Sequence, residues 1–263
     1  MPHIITNTAS LHYERTGVAG APTLILSTSL GATTAMWEPQ RTLFEQHFDL
    51  IRYDMRGHGQ SSIPPRPYSI EMLAGDVLSL IESLGLDNII FCGISIGGAI
   101  GQWLAIHAPE RFRGFVLCNT AAKIGTLEGW SQRIASVLED GLEPLADRIL
   151  SGWLTEPFRA AHPKIAAAMR QMLTACDPGG YVSTCAAVRD FDFRDSLHRI
   201  QKPVCIVAGT QDASTTVADA KLLHHTIAGS KLIELSAAHI SNIEAADAFN
   251  NAVISFAQEL SIG

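Results

Sequence analysis

Short apolar runs recur along this chain at residues 23–27, 50–53, 88–92, 115–119, 204–209 and 231–235, each bounded by turn residues and separated by longer stretches with helical spacing. Few architectures accommodate that pattern. A run that is apolar at nearly every position must be covered on both faces, and helices between successive parallel strands supply that cover. The clearest helical stretch spans 69–84, where Ile70, Leu73, Val77, Leu80, Ile81 and Leu84 recur at three- and four-residue steps behind Ser69 as N-cap. The first twenty residues read instead as an antiparallel hairpin, Ile4-Ile5 against Leu11-His12-Tyr13, at the edge of a mixed sheet.

From about residue 122 to 189 strand signals vanish and helical ones take over, at 130–138, 142–154 and 165–173, with breaks at Pro157, Pro163 and Pro178-Gly179-Gly180. Sheet signals resume after Pro203. The expected organisation is one α/β core formed by 1–121 and 190–263, interrupted by a helical cap at 122–189 that can act as a lid.

Composition excludes several function classes. With 47% hydrophobic and 17% charged residues the chain is a folded globular protein. Its net charge of −7 opposes the basic footprint that phosphate backbones require, so no nucleic-acid partner is expected. The five cysteines (Cys92, Cys118, Cys176, Cys185 and Cys205) show no CxxC or CxxH spacing and read as reduced thiols; with no secretory leader pattern at the start, the expected setting is cytoplasmic. Only 88–109 imitates a membrane span, and Gly93 to Gly98 at its centre, with Gln102 and His107 beyond, divides it into a buried strand and a helix, so no membrane partner is expected. No HExxH, Walker or strand-borne GxGxxG pattern occurs, and neither a metal nor another cofactor is implied.

The strongest local signal is Gly93-Ile94-Ser95-Ile96-Gly97, a GxSxG that ends a strand pattern and opens a helix pattern. A chain turning at once from strand to helix strains the backbone of the central residue, and glycines two positions either side remove the Cβ clashes while lifting Ser95 Oγ above the sheet. A serine hydroxyl is inert without a base and a group that orients that base. Asp212 follows the run at 204–209 and His239 follows the run at 231–235, both just beyond strand C-termini, where open α/β sheets form their sites. The order Ser95, Asp212, His239 is the order of nucleophile, acid and base in hydrolases of this architecture. Asp212 could serve only its own turn, and His239 could be structural, but both sit where the chemistry needs them; His224 and His225, on an expected surface helix, are weaker rivals. For the oxyanion the Ile96 N–H, next to the nucleophile at the helix N-terminus, is one candidate donor, and the Leu30 N–H in Thr28-Ser29-Leu30-Gly31 is the other.

Ser29-Leu30-Gly31, Met36-Trp37, Asp54-Met55-Arg56-Gly57-His58-Gly59-Gln60-Ser61, the Ser95 turn, Asp212 and His239 together resemble the α/β-hydrolase superfamily along essentially the whole chain. Ser-Leu-Gly where most members have His-Gly, with Asn119-Thr120-Ala121-Ala122-Lys123-Ile124-Gly125, is similar to the 3-oxoadipate enol-lactonases of aromatic degradation. The resemblance implies the α/β-hydrolase fold and a small anionic lactone, opened through an acyl-enzyme on Ser95. A carboxylate arm entering an acidic protein needs a local cation, and Arg133 on the first cap helix is the candidate, with Trp130 and Trp153 as apolar walls. Arg56 reads as scaffolding beside the site. Three other functions fit the same residues: a carbon–carbon bond hydrolase of ring-cleavage products, a general esterase or perhydrolase, and a catalytically silent small-molecule receptor.

Overall fold

Eight strands form a single sheet in the computed structural model, which describes residues 2–65 and 67–262; the outer core boundaries expected at Met1 and Gly263 lie outside the described residues. In chain order the strands are β1 (His3–Ile5), β2 (Ser10–Gly17), β3 (Thr23–Ser27), β4 (Asp49–Tyr53), β5 (Ile89–Ile94), β6 (Phe112–Cys118), β7 (Val204–Gly209) and β8 (Lys231–Leu235). Across the sheet they lie in the order β1-β2-β4-β3-β5-β6-β7-β8. β1 and β2 make the antiparallel edge hairpin, β2 pairs antiparallel with β4, and every later pair is parallel. Every residue of β3, β5 and β7 is buried, as continuous apolar runs between two helical layers must be, and so is every residue of β4, whose charged Asp49 and Arg52 are paired with Arg15 and with Glu14 and Glu38 respectively.

The helices are α1 (Glu38–Phe44), α2 (Ile70–Ser83), α3 (Ile96–His107), α4 (Leu127–Asp140), α5 (Ala146–Trp153), α6 (Glu156–Ala161), α7 (Pro163–Thr174), α8 (Pro178–Asp190), α9 (Val217–Thr226), α10 (Ser241–Glu244) and α11 (Ala246–Ile262). α2 buries Ile70, Leu73, Val77, Leu80 and Ile81 of the stripe read from the sequence, with Leu84 half-buried as its C-cap, and the Ser69 hydroxyl accepts the Met72 N–H as its N-cap. It packs on α3, which lies against β5 and β6, while α9 and α11 lie against β7. Helices α4 to α8 all fall between β6 and β7.

Several boundaries differ from expectation, β6 for instance running over Phe112–Cys118 instead of 115–119 and α4 starting at Leu127, and three of the differences have a clear local reason. β5 runs on through Gly93 and Ile94 because both still pair with β6, so the strand delivers Ser95 without an intervening loop. The helix expected over 142–154 starts at Ala146, since a 3-10 turn at Glu143–Leu145 surrounds Pro144, whose ring fits a helix start but not its interior. The Pro178-Gly179-Gly180 break is instead the first turn of α8: Pro178 takes a position where no N–H is needed, and the Asp177 carboxylate accepts the Gly180 N–H at 2.8 Å. Gly180 is there for packing, because a Cβ would stand 2.1 Å from the Gly57 carbonyl oxygen. Gly180→Ala is therefore expected to cost about 1–3 kcal/mol of stability, measurable by denaturant titration; an unchanged midpoint would mean that the Gly57 turn yields freely.

Among the described residues no helix is long and apolar enough to cross a membrane, and the stretch 88–109 divides at Ser95 into β5 and α3. All five cysteines are free and buried.

Candidate active site

Ser95 sits between β5 and α3 with φ of +59° and ψ of −117°, the strained backbone expected where a strand turns directly into a helix. Its neighbours explain why the strain holds. A Cβ at Gly93 would lie 2.2 Å from Gly97 O, and one at Gly97 would lie 2.6 Å from Ser27 O, so neither position admits a side chain. The Ser95 N–H donates to Cys118 O at 2.9 Å, and Ser95 O accepts from Thr120 Oγ1 at 2.8 Å and from the Ala99 N–H at 3.1 Å.

Asp212 and His239 come together from the loops after β7 and β8. His239 Nδ1 lies 2.7 Å from Asp212 Oδ2. A carboxylate only accepts, so Nδ1 carries the proton and Nε2 is left with a lone pair. The carboxylate is held by further donors: Thr215 Oγ1 at 2.7 Å and Asn119 Nδ2 at 3.1 Å on Oδ2, and the Ser214 and Thr215 N–H groups at 2.8 and 3.1 Å on Oδ1. Burial works to raise its pKa, but the charge and hydrogen bond of His239 and the Thr215 donors outweigh it, taking the carboxyl from its ordinary 3.8 to about 2. Asp212 therefore stays ionised beside the imidazole at any pH where the protein would work.

The loop after β3 is a tight turn whose N–H groups are almost all occupied. Ser29 N–H donates to Met36 Sδ at 3.4 Å, Gly31 N–H to His58 Nε2 at 3.0 Å and Ala32 N–H to Ser29 O at 3.1 Å. Leu30 N–H alone of these four has no protein acceptor among the described residues. The Ile96 N–H at the start of α3 likewise has none, as a first-turn helix donor. Gly31 has φ of +79°, and a Cβ there would come within 2.6 Å of Leu173 Cδ1.

Leu30, Ser95 and His239 all open on one cavity of about 610 Å³ between the sheet edge and helices α4, α5 and α8. Trp130, Arg133 and Trp153 also line it, so the structure brings these to the same space as Ser95. Arg133 stacks its guanidinium over the Trp130 ring at 4.8 Å, and Trp130 Nε1 is tied to Ile124 O at 2.7 Å. No Asp or Glu lines this cavity among the described residues. Nor do His224 and His225, which lie on α9.

A family model described as the alpha/beta hydrolase fold matches residues 22–246. The chain belongs to the α/β-hydrolase family. Within it, this hydrolase is 45% identical to 3-oxoadipate enol-lactonase 2 of Acinetobacter baylyi, over 93% of this chain and 91% of that protein. A second relative from the same organism, 3-oxoadipate enol-lactonase 1, is 33% identical over 91% and 90% of the two chains. Among solved structures, the enol-lactonase from Burkholderia xenovorans superposes with a TM-score of 0.96 at 40% identity, covering 98% of this chain and all of that one.

Sequence reasoning missed several residues that build the candidate site. Asn119, at φ of +43°, donates to Asp212 Oδ2 and to Ala238 O, both at 3.1 Å, and its Oδ1 accepts from Ser241 Oγ at 2.6 Å. One side chain thus fixes the acid loop and the histidine loop together. Thr215 was findable, since Asp212-Ala213-Ser214-Thr215 is the pattern of an Asp accepting from N–H groups two and three residues on. Arg148 also reaches the cavity, on α5, and nothing in its local sequence sets it apart from a solvated helix charge. Arg56 is bound to Asp76 by two bonds of 2.6 Å, both residues buried, and stands clear of the cavity as scaffolding.

Proposed function

We propose that this α/β-hydrolase opens 3-oxoadipate enol-lactone to 3-oxoadipate, in the β-ketoadipate stage of aromatic degradation in the cytoplasm, through an acyl-enzyme on Ser95. The observation that carries the reading is one cavity holding Ser95 and His239 beside two arginines, with no carboxylate on its wall among the described residues. The 45% identity to an enol-lactonase over nearly the full length supports it. His239 Nε2 takes the Ser95 proton as Oγ attacks the ring carbonyl, and the N–H groups of Ile96 and Leu30 stabilise the oxyanion. Collapse breaks the ring C–O bond, and His239 returns its proton to the departing enolate oxygen, whose enol relaxes to the ketone. Water, deprotonated by His239, then cleaves the acyl-enzyme and frees the second carboxylate of the product. Asp212 holds the imidazole in the required tautomer and stabilises its cation. Helices α4 to α8 act as the cap over this reaction.

Arg133 and Arg148 favour an anionic lactone over the neutral esters of a general esterase. Neither has a carboxylate partner among the described residues, so both are available to a substrate carboxylate in a protein of net charge −7. Arg133 is the half-buried one, so its charge is the less screened by water. Arg133→Ala is expected to raise KM for the enol-lactone about ten- to a hundredfold while hardly changing that for a neutral aryl acetate. Steady-state kinetics on both substrates, with a ring-cleavage dienoate alongside, tests the proposal. An unchanged lactone KM would remove Arg133 from substrate binding, and faster turnover of the dienoate would hand the function to the carbon–carbon hydrolases.

A further inference from the structure

His58 lies outside the cavity, fully buried in the turn after β4, and the acyl-transfer steps above do not use it. Its two ring nitrogens are both engaged. Nε2 is 3.0 Å from the Gly31 nitrogen, and Nδ1 is 3.3 Å from Arg56 O. A backbone N–H only donates and a carbonyl only accepts, so the contacts admit one form of the ring: neutral, with the proton on Nδ1.

The bond at Nε2 falls on the turn that presents the Leu30 N–H. Within residues 29–32 the N–H groups of Ser29, Gly31 and Ala32 are taken up by Met36 Sδ, His58 Nε2 and Ser29 O respectively, and only Leu30 N–H is left for a ligand among the described residues. Of the three restraints, the Met36 bond is to a weakly accepting thioether and the Ala32 bond is internal to the turn. The bond to His58 is the strong one that ties the turn to the rest of the core. On its other side the turn is pressed by the cap, where a Cβ on Gly31 would lie 2.6 Å from Leu173 and 3.1 Å from Tyr181. A turn wedged between cap and core, with φ of +79° at its third residue, needs an acceptor at that point to keep its peptides from rotating.

We propose that His58 is a positioning residue for catalysis: by accepting the Gly31 N–H it fixes the turn that aims the Leu30 N–H at the oxyanion. This rests on the reading of Ser95 as the acyl-transfer nucleophile. The role belongs to one atom, the Nε2 acceptor, and that makes it separable from packing. A Gln side chain carries its Oε1 to the place of Nε2, whereas Asn carries its Oδ1 only to the place of Nδ1, and Leu fills the space without an acceptor.

The test compares His58→Gln, His58→Asn and His58→Leu for kcat and KM on the enol-lactone and on 4-nitrophenyl acetate, for inhibition by phenylboronic acid, whose adduct with serine presents a tetrahedral oxyanion, and for thermal midpoint. Loosening one oxyanion donor should lower kcat about tenfold or more in the Asn and Leu variants, leave KM within about twofold and weaken boronate inhibition in proportion, while Gln keeps most of the wild-type rate. Should His58→Leu fail to fold, the Gln and Asn variants decide alone. Wild-type kcat in His58→Asn, or a Gln variant as slow as Asn at equal thermal stability, would overturn the assignment. Turnover by the wild type that survives Ser95→Ala would remove the nucleophile on which it depends, a result distinct from either of those.

Discussion

Ser95→Ala should lower kcat for the enol-lactone by about 10⁵- to 10⁶-fold and leave the protein folded and able to bind product. The size follows from what remains. Without Oγ there is no acyl-enzyme, and the Leu30 and Ile96 donors with the two arginines can only hold the substrate for attack by water, a residual worth far less than the intact set. The fold should not suffer, because the Ser95 side chain does not cap α3, and the strained φ of +59° is imposed by Gly93, Gly97 and the β5–β6 pairing instead of by the hydroxyl. Alanine meets that backbone on the same terms as serine. The check is paired: steady-state turnover for the chemistry, and the rise in thermal midpoint on adding 3-oxoadipate for the binding, which linkage makes independent of catalysis. Near-normal turnover would end the serine mechanism, and loss of turnover together with loss of the thermal shift would mean that the substitution had damaged the pocket.

What could be read from the sequence divides along a physical line. The central strands were legible because burial on two faces demands uninterrupted apolar runs, and β3 and β7 fall on the expected residues; the edge strand β8 does so too, although only Leu235 of it is buried. Ser95, Asp212 and His239 stood out because each sits just past a strand, so position along the chain already specified position at the sheet edge. Contacts between distant segments left no such trace. The reach of Asn119 to Asp212 and Ala238 depends on one residue leaving β6 at φ of +43°, and the closeness of Gly57 and Gly180 depends on α8 returning to the turn after β4. Pro178-Gly179-Gly180 misleads for the same reason: taken locally it is a break, and only the packing partner shows why Gly180 belongs in a helix. Arg148 and His58 are further cases, each ordinary in its own segment and informative only through what lies across from it.

Asp212→Asn should cost about 10⁴-fold in kcat with little change in KM, and the hydrogen bonds around the carboxylate say why. Oδ1 accepts two backbone N–H groups, from Ser214 and Thr215, which cannot turn away, so the amide nitrogen of Asn must take the Oδ2 position. There it faces Thr215 Oγ1, which can rotate, Asn119 Nδ2, which loses this acceptor and keeps only Ala238 O, and His239 Nδ1, which must then become an acceptor. The imidazole proton moves to Nε2, and the base that should take the Ser95 proton already carries one. The same carboxylate also stabilises the fold, with a pH dependence of fixed sign. Its pKa is lowered from 3.8 to about 2 on folding, so its contribution of about 2 kcal/mol is fully present above pH 4 and disappears as the pH falls towards 2. The difference in unfolding free energy between wild type and Asp212→Asn, measured by urea titration, should therefore be constant from neutrality down to about pH 4 and narrow below it. A difference that stayed constant to pH 2 would mean that folding does not lower the carboxyl's pKa, the donors around Asp212 holding its protonated form as well as its charged one.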